Sequence, residues 1–447
     1  MRLKITLVLA LVVSCSTPVW SFEANLADPA LAKFQLLKAP QPAGLLLRHG
    51  DRLAICGDSI TEQKMYSRLM EDYLTVCVPE LEIRVRQYGW SGERADGFLA
   101  RMTNDCLRFK PTIATTCYGM NDHEYRSYEE RIGRAYRKYS TGIVEAFKAN
   151  GVRVVEGSAG CVGKVPFWVK SATGTVDDLN LNLCNLRNIG IEIARQERVG
   201  FADVFWPMVT AGAEAQQEYG ANYAICGKDG VHPGWAGHTI MAYAFLKALG
   251  LNGDLGTFTV DLKRNRMKTS RGHQLRSAKD GIFEIRSSRY PFCPCELSSE
   301  AVAGYPACGN DDVSKDSSIR SGMTLVPFNK ELNRLMLRFK NAPGSSYKVI
   351  WGGESNTFSA EQLARGVNLA EEFPNNPFSE AFAKVDAAVA AKQAFETREI
   401  KELFRSPEAK KDMEGVASRA EQERQPLEAA IHTAFVPVTH TIQIVAQ

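Results

Sequence analysis

The stretch that decides the fold is residues 53–61, which read LAICGDSIT. A short apolar run, Leu53 to Cys56, leads directly into Gly57, Asp58 and Ser59. Such a run predicts a buried strand, and the residues after it are typical of a turn into a helix. A serine at this junction lies at the carboxyl edge of a sheet, with its N–H at the positive end of the helix dipole. Both features suit a nucleophile that forms an oxyanion, although an ordinary helix cap would use the same residues.

From Arg52 to about Gly250 the chain alternates short apolar runs with amphipathic segments, which is typical of βαβ units around a parallel sheet. The expected strands are Leu53–Cys56, Leu81–Tyr88, Thr112–Tyr118, Val152–Val155 and Phe201–Phe205. The expected helices are the stretch with Met65, Leu69 and Tyr73, then Tyr128–Ala149, Leu179–Arg198 and Trp235–Leu249. The sequence therefore predicts a three-layer α/β/α sandwich of the flavodoxin-like type.

After Gly250 the pattern changes to short alternating runs separated by turn residues, which predicts an antiparallel, β-rich lobe. These runs are Phe258–Leu262, Ile282–Ile285, Leu335–Phe339 and Tyr347–Trp351. A helical segment follows, in which the charged stretch Arg405–Pro426 is either a solvated helix or a flexible arm. His440–Val445 then alternates as a strand that needs a partner in the β lobe. The expected organisation is a catalytic domain at 22–250, the β lobe at 251–365, the helical segment at 366–435 and a returning strand at 436–447.

The first 21 residues contain Arg2 and Lys4, then an apolar run from Ile5 to Val13, which is typical of a secretory signal peptide. This run is far shorter than the ~20 residues that span a bilayer, so no stable membrane insertion is expected after its removal. We expect a periplasmic or secreted protein, and Cys15 also resembles a lipoprotein anchoring site. The net charge of +3 falls to about +1 without Arg2 and Lys4. That gives no basis for nucleic-acid binding.

Removal of the signal leaves an even number of cysteines, which is consistent with an oxidising compartment. Cys56 and Cys117 lie in expected strands, where reduced thiols pack as small apolar side chains. Cys293, Cys295 and Cys308 cluster in a loop-like stretch. We favour a local disulfide there over a zinc site, because no histidine is at ligand spacing.

Two further motifs follow expected strands. Gly92 lies in the run GWSGE at 89–93, where a glycine lets a backbone N–H approach a ligand. Asn121 lies in GMND at 119–122, and its side-chain N–H is a candidate donor to an oxyanion. Each residue alone is equally consistent with a turn or a helix cap. Both nevertheless follow strands that end at the same edge as Ser59.

The last motif is DGVHP at 229–233. A histidine that accepts the proton of a serine needs an acidic partner to fix its tautomer, and Asp229 is three residues from His232. His238 is a weaker base candidate and is interpreted as structural, while His123 is a candidate for the pocket lining.

In order along the chain, the four motifs supply Ser59, Gly92, Asn121 and His232, and this arrangement resembles the GDSL/SGNH hydrolase family over roughly residues 50–250. The resemblance implies the SGNH hydrolase fold. It also implies Ser59 as nucleophile, His232 as base and Asp229 as the orienting acid. The Ser59 N–H, the Gly92 N–H and the Asn121 side chain would form the oxyanion hole. No metal or cofactor is implied. The GDSIT form of the first block is most similar to the carbohydrate-esterase branch.

The sequence thus predicts a secreted ester hydrolase whose substrate is a small-molecule or polysaccharide ester, with a carbohydrate acetate favoured. A lipase or lysophospholipase of the same fold remains open, because Trp90, Trp168 and Trp206 could form an apolar rim or stack on sugars. A non-catalytic carbohydrate-binding protein is the other alternative. An α/β-hydrolase would show G-x-S-x-G and a zinc hydrolase H-E-x-x-H, and the sequence contains neither motif.

Overall fold

The computed structural model describes residues 31–169, 174–294 and 312–447. The expected signal peptide at 1–21, with Cys15, and the cysteines Cys295 and Cys308 lie outside the described residues. The chain separates into two units, 1–38 and 39–447, and the described helices and strands belong to the second. In the described ranges, no helix combines the length and the apolar character needed to cross a bilayer.

Within the described part of the chain, the N-terminal half of the second unit is built on a five-stranded parallel sheet. Its strands are β1 (Arg52–Gly57), β2 (Arg84–Gly89), β3 (Ile113–Cys117), β4 (Arg153–Gly157) and β5 (Gly200–Ala202). They lie in the order β2-β1-β3-β4-β5, which is the flavodoxin-like order of doubly wound sheets. The expected α/β/α fold is therefore confirmed. The strand order reverses at β1 and β3, and such a reversal is where sheets of this kind bind ligands.

Helices flank this sheet. They are α1 (Ser59–Glu62), α2 (Tyr66–Val76), α3 (Ala95–Asp105), α4 (Glu130–Ala149), α5 (Val176–Glu197), α6 (Phe205–Tyr219) and α7 (Trp235–Ala248). Alternate residues of β1, Ala54 and Cys56, share a buried cluster with Phe98 of α3 and Phe147 of α4. The fifth strand is shorter than expected, because Phe205 begins α6 instead of ending β5.

Two further sheets form the β-rich lobe, in the orders β13-β10-β6-β7 and β12-β11-β14-β9-β8. The strands are β6 (Asp254–Asp261), β7 (Arg266–Thr269), β8 (His273–Lys279), β9 (Ile282–Ser287), β10 (Arg334–Lys340), β11 (Ser346–Trp351), β12 (Glu354–Ser359), β13 (Val367–Asn368) and β14 (Val438–Ala446). The lobe is not wholly antiparallel as expected, because β6 and β10 pair in parallel. The long connection between them leaves room for the crossover that a parallel pair requires. The terminal strand β14 lies between β9 and β11.

The remaining helices are α8 (Ile319–Leu325), α9 (Phe328–Leu332), α10 (Ala360–Arg365), α11 (Leu369–Glu372), α12 (Ser379–Lys401) and α13 (Met413–Ala434). Helix α12 packs on α13, on α2 and on β2, the edge strand of the parallel sheet. The charged stretch Arg405–Pro426 is therefore neither a flexible arm nor a fully solvated helix, because most of it belongs to α13, and residues such as Arg424 and Ala420 are buried.

Charged side chains are buried where α12 and α13 meet the sheet. The Lys392 ammonium donates to the Val85 carbonyl at 2.6 Å and to Glu396 at 2.8 Å, and it lies 3.0 Å from Glu71. Arg424 donates to Glu396 at 2.8 Å. Removing one partner of a buried pair typically costs about 3 to 5 kcal/mol, because the other charge is left uncompensated. This network therefore fixes the C-terminal helices to the parallel sheet.

Candidate active site

Ser59 is the first residue of α1 and directly follows the turn from β1. Asp58 caps this helix, since its carboxylate accepts the Ile60 N–H at 3.0 Å. Gly57 is required by close packing: a Cβ there would lie 2.1 Å from the Thr61 hydroxyl and 3.0 Å from the Cys117 carbonyl. These local contacts explain why GDSIT forms a tight strand-to-helix turn with its serine at the sheet edge.

The structure brings the serine, histidine and aspartate of the two motifs together. The Ser59 Oγ lies 2.8 Å from His232 Nε2, and His232 Nδ1 lies 2.7 Å from Asp229 Oδ2. With the carboxylate beside Nδ1, the tautomer that carries its proton on Nδ1 is favoured. Nε2 is then free to accept the serine proton. Ser59 and His232 are 173 positions apart in sequence, so the folding of the sheet creates this contact.

Asp229 also shapes the turn that presents the histidine. Its Oδ1 accepts the backbone N–H groups of Val231 and His232, both at 2.9 Å. Partial burial acts to raise the pKa of Asp229, but the hydrogen bonds from the His232 backbone and ring hold it below its ordinary value. The carboxylate is therefore charged at neutral pH and able to stabilise an imidazolium.

The turns that carry Gly92 and Asn121 meet beside the serine. Gly57 pairs with Gly89 on one side and with Cys117 on the other, so the three strands end at one level. Gly92 has a φ of +74°, a conformation that favours glycine, and the space beside its Cα is open. The Asn121 side-chain amide donates to the Glu93 carbonyl at 3.0 Å, which ties the two turns together.

Asp122 is a residue whose role the sequence does not reveal. It is buried, and its carboxylate accepts the Ala95 N–H at 3.0 Å and the Gly119 N–H at 2.9 Å. Burial raises the pKa of Asp122 to about 6. Asp122 thus bridges the start of α3 and the turn after β3. Its adjacency to Asn121 in the GMND motif is the signal that could have drawn attention to it.

The polar residues next to Gly92 and Asn121 are Glu93, Arg94 and His123, of which His123 is the candidate for the pocket lining. Glu93 is buried and accepts from Arg101 at 2.6 and 2.7 Å. His123 is fully buried, and burial lowers its pKa to about 4. Arg94 is the residue of this group that stays exposed, and it pairs with Glu124 at 3.1 Å. Glu93 and His123 therefore belong to the interior rather than to the pocket mouth.

His238, the weaker base candidate, has a structural role. Its Nδ1 accepts the Tyr66 N–H at 3.2 Å, and its Nε2 lies 3.0 Å from the Gln63 side-chain oxygen. Burial lowers the pKa of His238 to about 3. Both ring nitrogens are thus engaged in holding α1, α2 and α7 together.

Trp168, one of the candidate rim tryptophans, reaches the site. The Trp168 ring lies 5.8 Å from the His232 ring and 6.0 Å from the Tyr125 ring, measured between centroids. Phe167, next to it, is 85% exposed. Trp90 instead packs beneath Arg101, Lys401 and Arg405, and Trp206 lies in α6. The described aromatic wall beside the histidine therefore consists of Tyr125, Phe167 and Trp168.

Several known proteins are similar to this chain. Residues 55–240 match the family model of the GDSL-like lipase/acylhydrolase family. An acetylxylan esterase from Geobacillus stearothermophilus is 25% identical over 216 residues, which cover 45% of this chain and 94% of that protein. The solved structure of a gut microbial diltiazem-metabolizing enzyme is 22% identical, with a TM-score of 0.69 over 92% of this chain and 100% of that one. The last similarity shows that the fold, including the C-terminal lobe, also occurs in another protein.

The fold and the site define an α/β protein that presents a serine, a histidine and an aspartate at the carboxyl edge of a parallel sheet. Residues 55–240 are similar to the GDSL-like lipase/acylhydrolase family, and this similarity, together with that to the acetylxylan esterase, supports an esterase or acylhydrolase.

Proposed function

We propose that this protein hydrolyses a carboxylic ester with Ser59 as nucleophile, His232 as general base and Asp229 as the acid that orients it. The observation that carries the proposal is the continuous chain of contacts of 2.8 and 2.7 Å from the serine through the histidine to the aspartate. These distances lie within the range over which a base removes a proton in a substrate complex.

In the proposed reaction, the Ser59 oxygen attacks the acyl carbon while its proton moves to His232 Nε2. The carbonyl oxygen becomes an oxyanion held by the Ser59 N–H, the Gly92 N–H and the Asn121 amide. Such a donor is worth about 2.7 to 4 kcal/mol in the transition state. Collapse expels the alcohol, which takes the proton from His232. Water then attacks the acyl-enzyme with His232 as base, and the acid product leaves Ser59 regenerated.

Hydrolysis of p-nitrophenyl acetate by the wild type and by Ser59→Ala tests this proposal. We expect the variant to lose activity by at least about 10⁴-fold, because no other group replaces the nucleophile. Its thermal midpoint should stay within about 3 °C, because the hydroxyl makes few packing contacts. Activity that survives in a folded Ser59→Ala variant would reject the assignment.

For the substrate, we propose the acetate ester of a carbohydrate. The similarity to an acetylxylan esterase over 94% of that enzyme's length supports a small acyl group. The aromatic wall of Tyr125, Phe167 and Trp168 supports a sugar as leaving group, since exposed aromatic faces stack on apolar faces of rings. We further propose that the protein is exported, on the basis of residues 1–21. N-terminal sequencing of the mature protein would locate the cleavage point or a lipidated Cys15.

The second candidate is a lipase or lysophospholipase, which the exposed side chains of Val165, Phe167 and Trp168 favour. A series of p-nitrophenyl esters from acetate to octanoate separates the two. For the carbohydrate acetylesterase we expect kcat/KM to fall at least about tenfold along the series, equal to about 1.4 kcal/mol. A rate that rises with chain length, together with no acetate release from acetylated xylan, would select the lipase.

A further inference from the structure

Two cysteines lie next to each other behind the loop that carries Asp229 and His232. Cys161 follows β4, and Cys226 lies in the connection between α6 and α7. Their Sγ atoms are 3.3 Å apart, although 65 positions separate them in sequence. Both are thiols in this structure, and both are buried, at 4% and 1% exposure. A disulfide requires an S–S distance of ~2.05 Å, so the sulfurs would move together by roughly 1.3 Å.

The backbone on both sides of this pair is already held together. The Gly163 N–H donates to the Gly230 carbonyl at 2.9 Å, which joins the loop after β4 to the loop of the histidine. On the first loop, the Asn180 side chain accepts the Val162 N–H at 2.8 Å and donates to the Val162 carbonyl at 2.9 Å. Because both loops are fixed at these points, a bond between the sulfurs needs side-chain rotation rather than movement of the backbone.

Because Cys226 lies close in sequence to Asp229 and His232, a bond to it would constrain the loop that carries them. Cys226 precedes Asp229 by three residues and His232 by six, in a stretch that forms turns rather than a helix or strand. These turns are closed by local hydrogen bonds, such as Gly227 N–H to the Ala224 carbonyl at 2.8 Å and Gly230 N–H to the Gly227 carbonyl at 3.0 Å. Local bonds of this kind leave a loop free to open as a unit, whereas a covalent bond to Cys161 would tie it to the end of β4.

We propose that Cys161 and Cys226 form a disulfide that ties the loop of Asp229 and His232 to the parallel sheet. In the reaction, two thiols lose two protons and two electrons as the S–S bond forms. A disulfide donor such as oxidised glutathione accepts them and becomes two thiols. The Cys161 thiol and burial hold the pKa of Cys226 well above its usual range, so little thiolate exists in the folded protein. Exchange therefore takes place during folding, while the loop is open. The proposal does not depend on ester hydrolysis.

Peptide mapping tests the bond directly. The full-length wild type is refolded with a mixture of reduced and oxidised glutathione, denatured, alkylated without reduction and digested. We expect one linked species that contains the Cys161 and Cys226 peptides, which reduction separates. Complete alkylation of both cysteines before reduction would overturn the proposal, as would a link from either of them to a different cysteine.

Thermal unfolding with and without reductant tests whether the disulfide stabilises the folded protein. Closing a loop of this length should raise the thermal midpoint of a chain of this size by about 3 to 6 °C. Reductant should lower the wild-type midpoint by that amount more than it lowers the midpoints of Cys161→Ala, Cys226→Ala and the double variant. Cys184→Ala, a buried thiol of α5, is the control and should respond to reductant as the wild type does. A wild type that ignores reductant would contradict the stabilising bond.

Discussion

The two halves of the candidate site are held in different ways. Ser59, Gly92 and Asn121 each follow a strand of the sheet within four residues, and the side chains of Asn121 and Asp122 brace the turns between them. Asp229 and His232 instead lie on a loop of turns between α6 and α7. The sheet fixes the geometry of the strand-end half, which consists of Ser59, Gly92 and Asn121. The loop half depends on its own hydrogen bonds and on its contact with the loop after β4.

This difference in support predicts how strongly a single substitution in each half should affect the rate. In the strand-end half, loss of one bracing group leaves the neighbouring strands in place, so the effect on the rate should be moderate. In the loop half, the Asp229 side chain both closes the turn and orients the ring, so both functions depend on one residue. We therefore expect the loop half to be the more sensitive of the two to single substitutions.

The largest effect is expected for Asp229→Asn. The amide can still accept the Val231 and His232 N–H groups, but its NH₂ group opposes the favoured ring tautomer. We expect kcat for acetate ester hydrolysis to fall by about 10³ to 10⁴, with a modest change in KM. Asp316→Asn is the control, because Asp316 accepts the Ala224 N–H of the same loop at 3.3 Å, whereas the His232 ring is bound by Asp229. A similar loss of kcat in Asp316→Asn would show that disorder of the loop, rather than the wrong ring tautomer, lowers the rate.

The next largest effect is expected for Asn121→Ala, which tests the strand-end half. If the amide serves as an oxyanion donor, kcat should fall by about 10² to 10³ while KM changes little. Steady-state kinetics with p-nitrophenyl acetate measures this. A variant with unchanged kcat and a raised KM would place Asn121 in ground-state binding instead.

A smaller effect is expected at Glu62, which links the C-terminal helices to the turn of Gly92. Its carboxylate accepts from Lys401 of α12 at 2.6 Å and from the Ser91 N–H at 2.5 Å. Without this acceptor the turn should populate other conformations, and we expect Glu62→Ala to lower kcat about three- to tenfold. Glu62→Gln keeps an acceptor and should recover most of the activity. If both variants lose thermal stability but keep kcat, the link is structural only.

The smallest effect is expected for Asp58. Burial raises the pKa of its carboxyl from an ordinary 3.8 to about 7. A carboxyl with a raised pKa binds more protons in the folded state, so its contribution to stability is present below about pH 4 and is lost as pH rises through 7. Asp58→Asn keeps a cap for the Ile60 N–H without an ionisation. We expect its thermal midpoint to exceed that of the wild type by about 1 to 3 °C at pH 8 and to match it at pH 4. A constant difference across this range would reject the buried ionisation as its cause.

Sequence predicts the parts of this molecule that local patterns encode. The run Leu53–Cys56 and the turn after it are defined by neighbouring residues, and the same holds for DGVHP, in which the acid and the base lie three residues apart. Packing between distant segments has no such signal. Lys401 meets Glu62, and Lys392 meets Val85, across more than 300 positions. The burial of Glu93 and His123 has a different cause: their partners Arg101 and Met120 are close in sequence, but they engage these side chains only once the turns are folded.

The measurement that tests the account most directly is covalent labelling with a serine-directed phosphonate, followed by peptide mass mapping. We expect one label per chain, on Ser59, because its hydroxyl is the one placed against His232 in the part of the chain that the structure describes. Labelling should vanish in Ser59→Ala, slow strongly in His232→Ala and persist in Ser91→Ala, which changes an exposed serine in the adjacent turn. A label on another serine, or ester hydrolysis by an enzyme whose Ser59 stays unmodified, would contradict the account.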